Sequence, residues 1–189
     1  NKNNIGGYIS RKGKNMANKI FKEYWEEELS AQMLSSENQK RIRAYICSPL
    51  NAKTDYEMFN NMRSARGYMY YAWKEMNFTA RAPHAYLPSL LCDRIQEERK
   101  MAMDFGIKLL KNSDIVLVCG NRISEGMKLE IIKAAMEKLY IIAFNKDMYS
   151  KTKELVSNNG GNSKLVKLDE DNEFMSQPDP LAYLEGGGE

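Results

Sequence analysis

Apolar and polar positions along the chain follow two alternating periods, one typical of β-strands and one typical of α-helices. Short apolar runs with β-strand character lie at residues 42–47, 77–82, 114–119, 140–144 and 164–168. Between them, apolar residues at three- and four-residue steps predict helices at 54–76, 92–111, 124–138 and, as a shorter candidate, 151–157. The pattern therefore predicts strands and helices that alternate along residues 42–168.

The first predicted helix carries the clearest periodic stripe. Its apolar side chains are spaced alternately four and three residues apart: Met58, Met62, Ala65, Met69, Ala72 and Met76. We interpret this methionine-rich stripe as hydrophobic core rather than as a cofactor site, because helical spacing of this kind is typical of a core-facing surface. Four aromatic residues of the same helix lie outside the stripe and suggest a subunit interface: Tyr56, Phe59, Tyr70 and Trp73.

Alternating strands and helices predict an α/β fold in which helices cover both faces of a parallel sheet. With right-handed crossovers, we expect a doubly wound, flavodoxin-like sheet of about five strands in the order 2-1-3-4-5. In that order a ligand binds outside the carboxyl ends of the first and third strands. The residues expected there are Ser48 and Pro49 on one side, and the segment from Gly120 to Gly126 on the other.

Two segments of different character flank this predicted domain. Residues 1–41 are expected to form an arm with one amphipathic helix near 17–34, which packs on the domain or on a partner. Residues 169–189 are acidic and include prolines and three consecutive glycines, a composition typical of a mostly irregular tail. We therefore expect an arm at 1–41, the α/β domain at 42–168 and a tail at 169–189.

Composition excludes several classes of function. The 189 residues carry a net charge of +3, too weak an excess to indicate nucleic-acid binding, and no apolar run is long enough to span a bilayer. The one histidine, His84, rules out a multi-histidine metal site within a single chain. Three cysteines without zinc spacing are interpreted as reduced thiols of a cytoplasmic protein. We expect no metal and no other cofactor, which leaves carboxylates as the candidate catalytic groups.

The segment after the third strand has the most informative spacing. Ser124 and Gly126 open a predicted helix, where free backbone N–H groups and the helix dipole favour a phosphate or another anion. Glu130 follows one to two turns later, so a hydroxyl, bare backbone and a carboxylate can face one pocket. The alternative is a capped surface helix with a solvated Glu130, and the spacing alone favours this alternative.

Four segments in a fixed order carry a resemblance to a known family. They are YICSP from Tyr45, APH ending at His84, GIKLLKNSD from Gly106, and RISEGMKLEI ending at Ile131. Together they make residues 42–145 resemble the nucleoside 2-deoxyribosyltransferase superfamily, and within it the chain is similar to uncharacterised bacterial and phage domains. The resemblance implies the same doubly wound fold and chemistry at an N-glycosidic bond.

The resemblance also implies roles for individual residues. Glu130 lies at the position of the nucleophile that attacks C1′ of a deoxyribosyl group, and Tyr45 at that of the tyrosine that orients it. Asp104 is the best counterpart of the acid that helps the base to leave. The other implied residues contact the substrate: Ser48, Pro49, His84, Gly120, Arg122, Ser124 and Gly126.

Two departures from the family pattern shape the expected activity. Ser124 stands where the transferases have an aspartate, which is more similar to the 2′-deoxynucleoside 5′-monophosphate N-hydrolases, whose serines contact phosphate. We therefore expect an N-glycosidase or deoxyribosyltransferase that cleaves the N-glycosidic bond of a nucleoside 5′-monophosphate or nucleoside. The resemblance also implies a homo-oligomer. Ile132 stands where those families have glycine, which favours the alternative of a sensor or sponge that binds nucleotide without turnover. A third possibility is an interaction domain whose arm and tail dock partners.

Overall fold

The computed structural model describes residues 41–92 and 95–180. Within these ranges the sheet has five parallel strands, β1 (Arg43–Cys47), β2 (Thr79–Arg81), β3 (Ile115–Val118), β4 (Tyr140–Ala143) and β5 (Val166–Leu168). Their order across the sheet is β2-β1-β3-β4-β5. This is the doubly wound, flavodoxin-like α/β fold that the alternation of strands and helices predicts.

Helices cover both faces of the sheet and bury two apolar layers. The helices are α1 (Asp55–Lys74), α2 (Gln96–Lys111), α3 (Glu125–Met136), α4 (Lys146–Asn158) and the short α5 (Glu173–Ser176). One layer joins residues of α1 and α5 to one face of the sheet, and the other joins α2, α3 and α4 to the opposite face. Both faces of each central strand are therefore buried, which explains their continuous apolar sequences.

The pleat of β1 decides which side chains face which helices. Successive residues of a strand point to opposite faces, so Ala44 and Ile46 pack in the layer of α1 while Tyr45 and Cys47 pack in the layer of α3. β1 lies beside β3 with Tyr45 opposite Val116. The Tyr45 side chain is thereby directed towards the helix that follows β3.

Local chemistry accounts for the helix and strand boundaries. Thr54 caps α1: its hydroxyl accepts a bond from the Glu57 amide, and its own amide donates a bond to the Glu57 carboxylate. α4 begins at Lys146 rather than at residue 151 as predicted, because Asn145 caps it by accepting a 2.8 Å bond from Met148 N. β2 is shorter than the predicted 77–82, since Asn77 has a φ of 61° and turns the chain there.

Two further predicted boundaries are wrong by a few residues. The second helix begins at Gln96 rather than at residue 92, and the fifth strand begins at Val166 because Ser163–Leu165 form a 3₁₀ turn. Two residues of the predicted methionine stripe are buried in the core: Met62, which is in α1, and Met76, which lies two residues beyond the end of α1.

The flanking segments are described only in part. The predicted arm helix near 17–34 lies outside the described residues, as does the end of the tail from residue 181. Residues 169–180 are described and pack on the domain. The Phe174 ring stacks on Tyr71 with centroids 4.5 Å apart, Met175 is buried, and Ser64 Oγ donates a 3.0 Å bond to Pro178 O. The start of the tail thus packs across α1, and we call residues 169–180 the strap.

Among the described helices, none has both the length and the apolar character needed to cross a bilayer.

Candidate active site

The carboxyl ends of β1 and β3 bring together the segments that the sequence analysis singles out. Because the two strands are parallel neighbours, both chain segments leave the sheet at the same edge. After β3 the chain enters α3, whose N-cap is Ser124, with its hydroxyl accepting a 3.4 Å bond from Met127 N. Glu130 lies further along α3 and points back to β1. There the Tyr45 hydroxyl donates a 2.7 Å hydrogen bond to Glu130 Oε1.

The environment of Glu130 holds its carboxyl group close to the midpoint of its titration at neutral pH. Burial raises the pKa of Glu130 to about 7, and hydrogen bonds from Tyr45 and Cys47 oppose that rise. Burial and the neighbouring carboxylate raise the pKa of Tyr45 well above its usual value, so the phenol keeps its proton and remains a donor. The pair therefore combines a weakly solvated carboxylate with a fixed donor, an arrangement typical of catalytic groups.

A second pair lies beside the first. His84 is in the 3₁₀ turn Pro83–Ala85 that follows β2, and its Nε2 is 2.7 Å from Ser48 Oγ at the end of β1. Burial lowers the pKa of His84 to about 4, so the imidazole is neutral at physiological pH. A neutral histidine paired with a hydroxyl offers both a donor and an acceptor to a polar ligand.

Both pairs face one cavity of about 600 Å³, within the size range of sites for small organic ligands. Six of the ten predicted site residues line it: Tyr45, Ser48, His84, Ser124, Gly126 and Glu130. Apolar side chains form much of the remaining wall, including Leu50, Met58, Pro83, Leu87, Met103 and Leu129. The cavity can thus enclose an apolar or aromatic group while the polar residues act at one end.

The first turn of α3 forms part of this polar end. N–H groups in the first turn of a helix have no intrahelical acceptor, and the helix dipole adds partial positive charge there. A Cβ built on Gly126 would meet no atom within 4 Å, so the backbone at this position faces open space in the cavity wall. Lys128 also lines the cavity and pairs with Glu125 at 2.6 Å. An anionic group thus has backbone N–H partners here, whereas the Lys128 ammonium group is already paired with the Glu125 carboxylate, which also lines the cavity.

Pro49 and Gly120, which are predicted to contact the substrate, are not among the residues that line the cavity. Gly120 has a φ of 85°, and a Cβ there would lie 3.4 Å from Pro49 Cδ and 3.5 Å from the Tyr68 hydroxyl. Its amide donates a 2.9 Å bond to Met175 O in the strap. The two residues pack the loops that follow β1 and β3 against each other and against α1.

Arg122 and Asp104 are also outside the cavity wall. Arg122 is exposed, and its guanidinium donates a 3.3 Å bond to Asn51 O, which joins the same two loops. Asp104 is on the exposed face of α2 and is not among the lining residues. One turn and a half earlier on α2, Glu98 does line the cavity and is partly buried. The structure thus brings a different acid of the same helix to the site.

Two residues that line the cavity, Glu98 and Gly106, have no individual role predicted from the sequence. A Cβ on Gly106 of α2 would lie 3.4 Å from the Tyr45 hydroxyl and 3.7 Å from Pro83 Cγ, so glycine allows α2 to approach β1 closely. A glycine in the interior of a helical pattern is the signal that could have indicated this contact. Ile132 lines the cavity one half-turn beyond Glu130 and occupies space that a glycine would leave open.

Within the described ranges, no three side chains of the His, Cys, Asp and Glu types are grouped as metal ligands. The groups that line the cavity include the carboxylates of Glu98 and Glu130, hydroxyls, a neutral imidazole, the Lys128 ammonium group and a helix N-terminus.

Comparison with known proteins yields one family. No curated protein and no solved structure matches the chain. Residues 42–144, more than half of the chain, match the family described as Domain of unknown function (DUF7768). These residues run from the start of β1 to the end of β4, so the match includes both strands of the site and all of α3. The chain therefore belongs to the DUF7768 family.

Proposed function

We propose that this protein is a nucleoside or nucleotide N-glycosidase or deoxyribosyltransferase, with Glu130 as its nucleophile and a nucleoside 5′-monophosphate or nucleoside as its substrate. The observation that carries the proposal is the 2.7 Å bond from the Tyr45 hydroxyl to Glu130 Oε1 inside a cavity of about 600 Å³. A solvated carboxylate on a surface helix would have neither the fixed donor nor the raised pKa.

The proposed reaction uses groups that the cavity supplies. The ionised Glu130 attacks C1′ of the sugar, a C1′–O bond to the carboxylate forms, and the C1′–N bond breaks with its electron pair passing to the base. Positive charge develops on the sugar in the transition state, as in glycoside hydrolysis, and the adjacent carboxylate stabilises that charge. Water then cleaves the ester in a hydrolase, or the nitrogen of a second base does so in a transferase.

Departure of the base needs a proton. Asp104, which the resemblance suggests as donor, is exposed outside the cavity wall, whereas Glu98 lines the cavity from the same helix. We assign the proton transfer to Glu98 or to a water molecule that it orients. The apolar wall formed by residues such as Leu87 and Met103 then encloses the base.

A 5′-monophosphate is the preferred substrate class because the polar end of the cavity suits an anion. Ser124 and the backbone at Gly126 lie at the start of α3, where the helix dipole is favourable to phosphate. The Lys128 ammonium group lies next to them and can contact a phosphate if it leaves or shares Glu125. The neutral Ser48–His84 pair supplies further uncharged hydrogen bonds. The chemistry needs no metal or redox cofactor, and a cytoplasmic location with reduced cysteines is consistent with such a substrate.

Two observations favour a second candidate, a sensor or sponge that binds nucleotide without cleaving it. Asp104 does not reach the cavity, and Ile132 fills part of the wall next to Glu130. Such a module would keep the cavity and its helix N-terminus while lacking an efficient proton donor. A nucleotide panel measured for both binding and base release separates the two candidates.

The test is incubation of the full chain with deoxynucleoside and ribonucleoside 5′-monophosphates and the matching nucleosides, followed by chromatography for free base. We expect base release from at least one monophosphate, loss of release in Glu130→Gln, and unchanged release in Glu154→Gln, an exposed carboxylate of α4 outside the cavity. Thermal stabilisation by a nucleotide without release of base supports the sensor. Neither binding nor release, or an active Glu130→Gln variant, refutes the proposal.

A further inference from the structure

Helix α1 carries an exposed aromatic stripe on the side that faces away from the core. Tyr56, Phe59, Tyr70 and Trp73 are 75%, 55%, 54% and 50% exposed. With Arg66 they lie at successive steps of three, seven, four and three residues, a heptad spacing that places all five on one side of the helix. We call these five residues the aromatic stripe. Large exposed aromatic surfaces of this kind mark an interaction site rather than an ordinary solvated face.

The stripe borders a groove and has a positive charge near its middle. Between α1 and the edge strand β2 lies a depression of about 330 Å³, lined by Arg66, Met69, Tyr70, Trp73, Thr79 and Ala80. The Arg66 guanidinium lies 5.9 Å from the Phe59 ring centroid and donates a 3.4 Å bond to Ala85 O. This charge is therefore held beside the Phe59 ring. A complementary partner has apolar side chains with a carboxylate between them.

The chain itself reaches the groove at the Trp73 end of the stripe. The guanidinium of Arg41, the first described residue, lies 5.5 Å from the centroid of the Trp73 ring. Forty residues precede Arg41 in the sequence. The arm thus joins the domain beside the stripe, so an arm segment that binds there has a high effective concentration.

The arm sequence complements the stripe in spacing and charge. Residues 17–34, for which the sequence predicts an amphipathic helix, combine the apolar Ile20, Tyr24 and Leu34 with Glu27 and Glu28. As a helix they would be about 27 Å long, close to the length from Tyr56 to Trp73 on α1. If Leu34 lies beside Trp73 and the two segments run parallel, Glu27 lies beside Arg66.

A second copy of α1 is a poorer partner. If the aromatic stripes of two protein molecules packed against each other in antiparallel orientation, the two Arg66 side chains near their centres would lie close together. Like charges in contact oppose association. We infer that residues 17–34 of the chain bind the aromatic stripe of α1, with Glu27 or Glu28 paired to Arg66 and the apolar side chains of the arm covering Tyr56, Phe59, Tyr70 and Trp73.

Hydrogen exchange of the full chain, read by mass spectrometry, tests this inference. We expect the amides of residues 20–34 to exchange at least tenfold more slowly than in the isolated peptide of the same sequence. Arg66→Glu should remove most of that protection. Adding Glu27→Arg and Glu28→Arg to the Arg66→Glu variant should restore it, because the charges of the arm and of the stripe are then both reversed. Lys108→Glu, an equal charge change on the exposed face of α2, is the matched control and should leave the protection unchanged.

Tryptophan fluorescence gives an independent measurement, because the chain has two tryptophans, one in the arm and one in the stripe. In a Trp73→Phe background, Trp25 is the only tryptophan and can be excited selectively over the tyrosines. Docking should reduce its quenching by acrylamide several-fold relative to the isolated peptide. Arm amides that exchange at the rate of the free peptide overturn the inference. So does a dimer by light scattering in which stripe residues are protected while the arm is not, since the occupant is then a second copy.

Discussion

The Tyr45 hydroxyl and the Glu130 carboxylate, 85 positions apart in the chain, are joined by a hydrogen bond of 2.7 Å. Strand β1 supplies the donor and helix α3 the acceptor, and both are held by the buried layer around Cys47, Met127 and Ile131. The bond favours the ionised form of Glu130, whereas burial favours the neutral form. Their balance places the pKa of Glu130 near neutrality, from which several predictions can be made.

Replacement of Glu130 should change how stability depends on pH. Between the usual pKa of a glutamate and about 7, the folded protein holds a proton on Glu130 that the unfolded chain has lost. Stability from this group is therefore lost as pH rises through that window. Glu130→Gln removes this titration. The slope of unfolding free energy against pH should therefore be more positive in the variant than in the wild type, by about 1.4 kcal/mol per pH unit.

Urea unfolding at pH 5, 6 and 7 measures the two slopes. His84, with its pKa lowered to about 4, contributes the opposite sign between pH 4 and its usual value, but it is present in both proteins and cancels in the comparison. Parallel slopes for wild type and Glu130→Gln would contradict the burial of an uncharged Glu130.

Tyr45→Phe should raise the pKa of Glu130 further, because it removes a donor that favours the carboxylate. Hydrogen bonds to charged groups contribute about 1.5–3 kcal/mol, which corresponds to a rise of about one to two pKa units. If Glu130 acts as nucleophile, the pH at which base release is half-maximal should rise by that amount, and the rate at pH 7 should fall accordingly. A fall in rate with an unchanged pH profile would show that Tyr45 acts in another way.

Gly106 should tolerate one added methyl group and no more. Alanine would place its Cβ 3.4 Å from the Tyr45 hydroxyl and 3.7 Å from Pro83 Cγ, which are ordinary contacts, and it favours the helix by about 0.5–1 kcal/mol relative to glycine. Gly106→Ala should therefore fold with equal or greater stability, whereas the branched side chain of Gly106→Val should displace Tyr45 and reduce base release. Thermal melts and activity assays of the two variants, compared side by side, check this. Equal activity of both would show that α2 is free to move away.

Gly120→Ala should destabilise the fold while leaving the cavity chemistry intact. Its φ of 85° is left-handed, a conformation that costs an alanine about 1–2 kcal/mol. Because Gly120 contacts Pro49 and the strap rather than the cavity, the variant should melt at a lower temperature but retain its turnover number below the transition. Loss of turnover in the folded variant would show that Gly120 does contribute to substrate binding.

The two acidic residues of α2 can be compared by removing the charge of each in turn, with Asp104→Asn and Glu98→Gln. Only Glu98 lines the cavity, so Glu98→Gln should slow base release at least tenfold, while Asp104→Asn should remain within twofold of wild type. Single-turnover measurements separate the chemical step from product release. The reverse result would identify Asp104 as the proton donor and require a movement of α2 on binding.

The hydrophobic pattern predicted the five strands and their order well because parallel strands buried on both faces require continuous apolar runs. It predicted the ends of elements less well, since Asn145 extends α4 by a side-chain cap and Asn77 shortens β2 by a turn. Such effects depend on single side-chain bonds and backbone angles, which periodicity does not report. The tail shows the same limit, as Phe174 and Met175 become core residues only because α1 offers them a surface.

The sequence by itself determined the topology of the sheet and, through the spacing from Ser124 to Glu130, the helix on which the main candidate carboxylate lies. Only the tertiary structure decided that Glu130 faces inward to Tyr45 rather than outward to water, because that depends on how α3 packs over β1. It also decided that Glu98 and not Asp104 faces the cavity, and that Gly120 and Pro49 pack loops instead of lining the cavity. Two acidic residues of one helix can differ in exposure because they lie on different sides of the helix. Which side faces the cavity is set by how the helix packs against the rest of the domain.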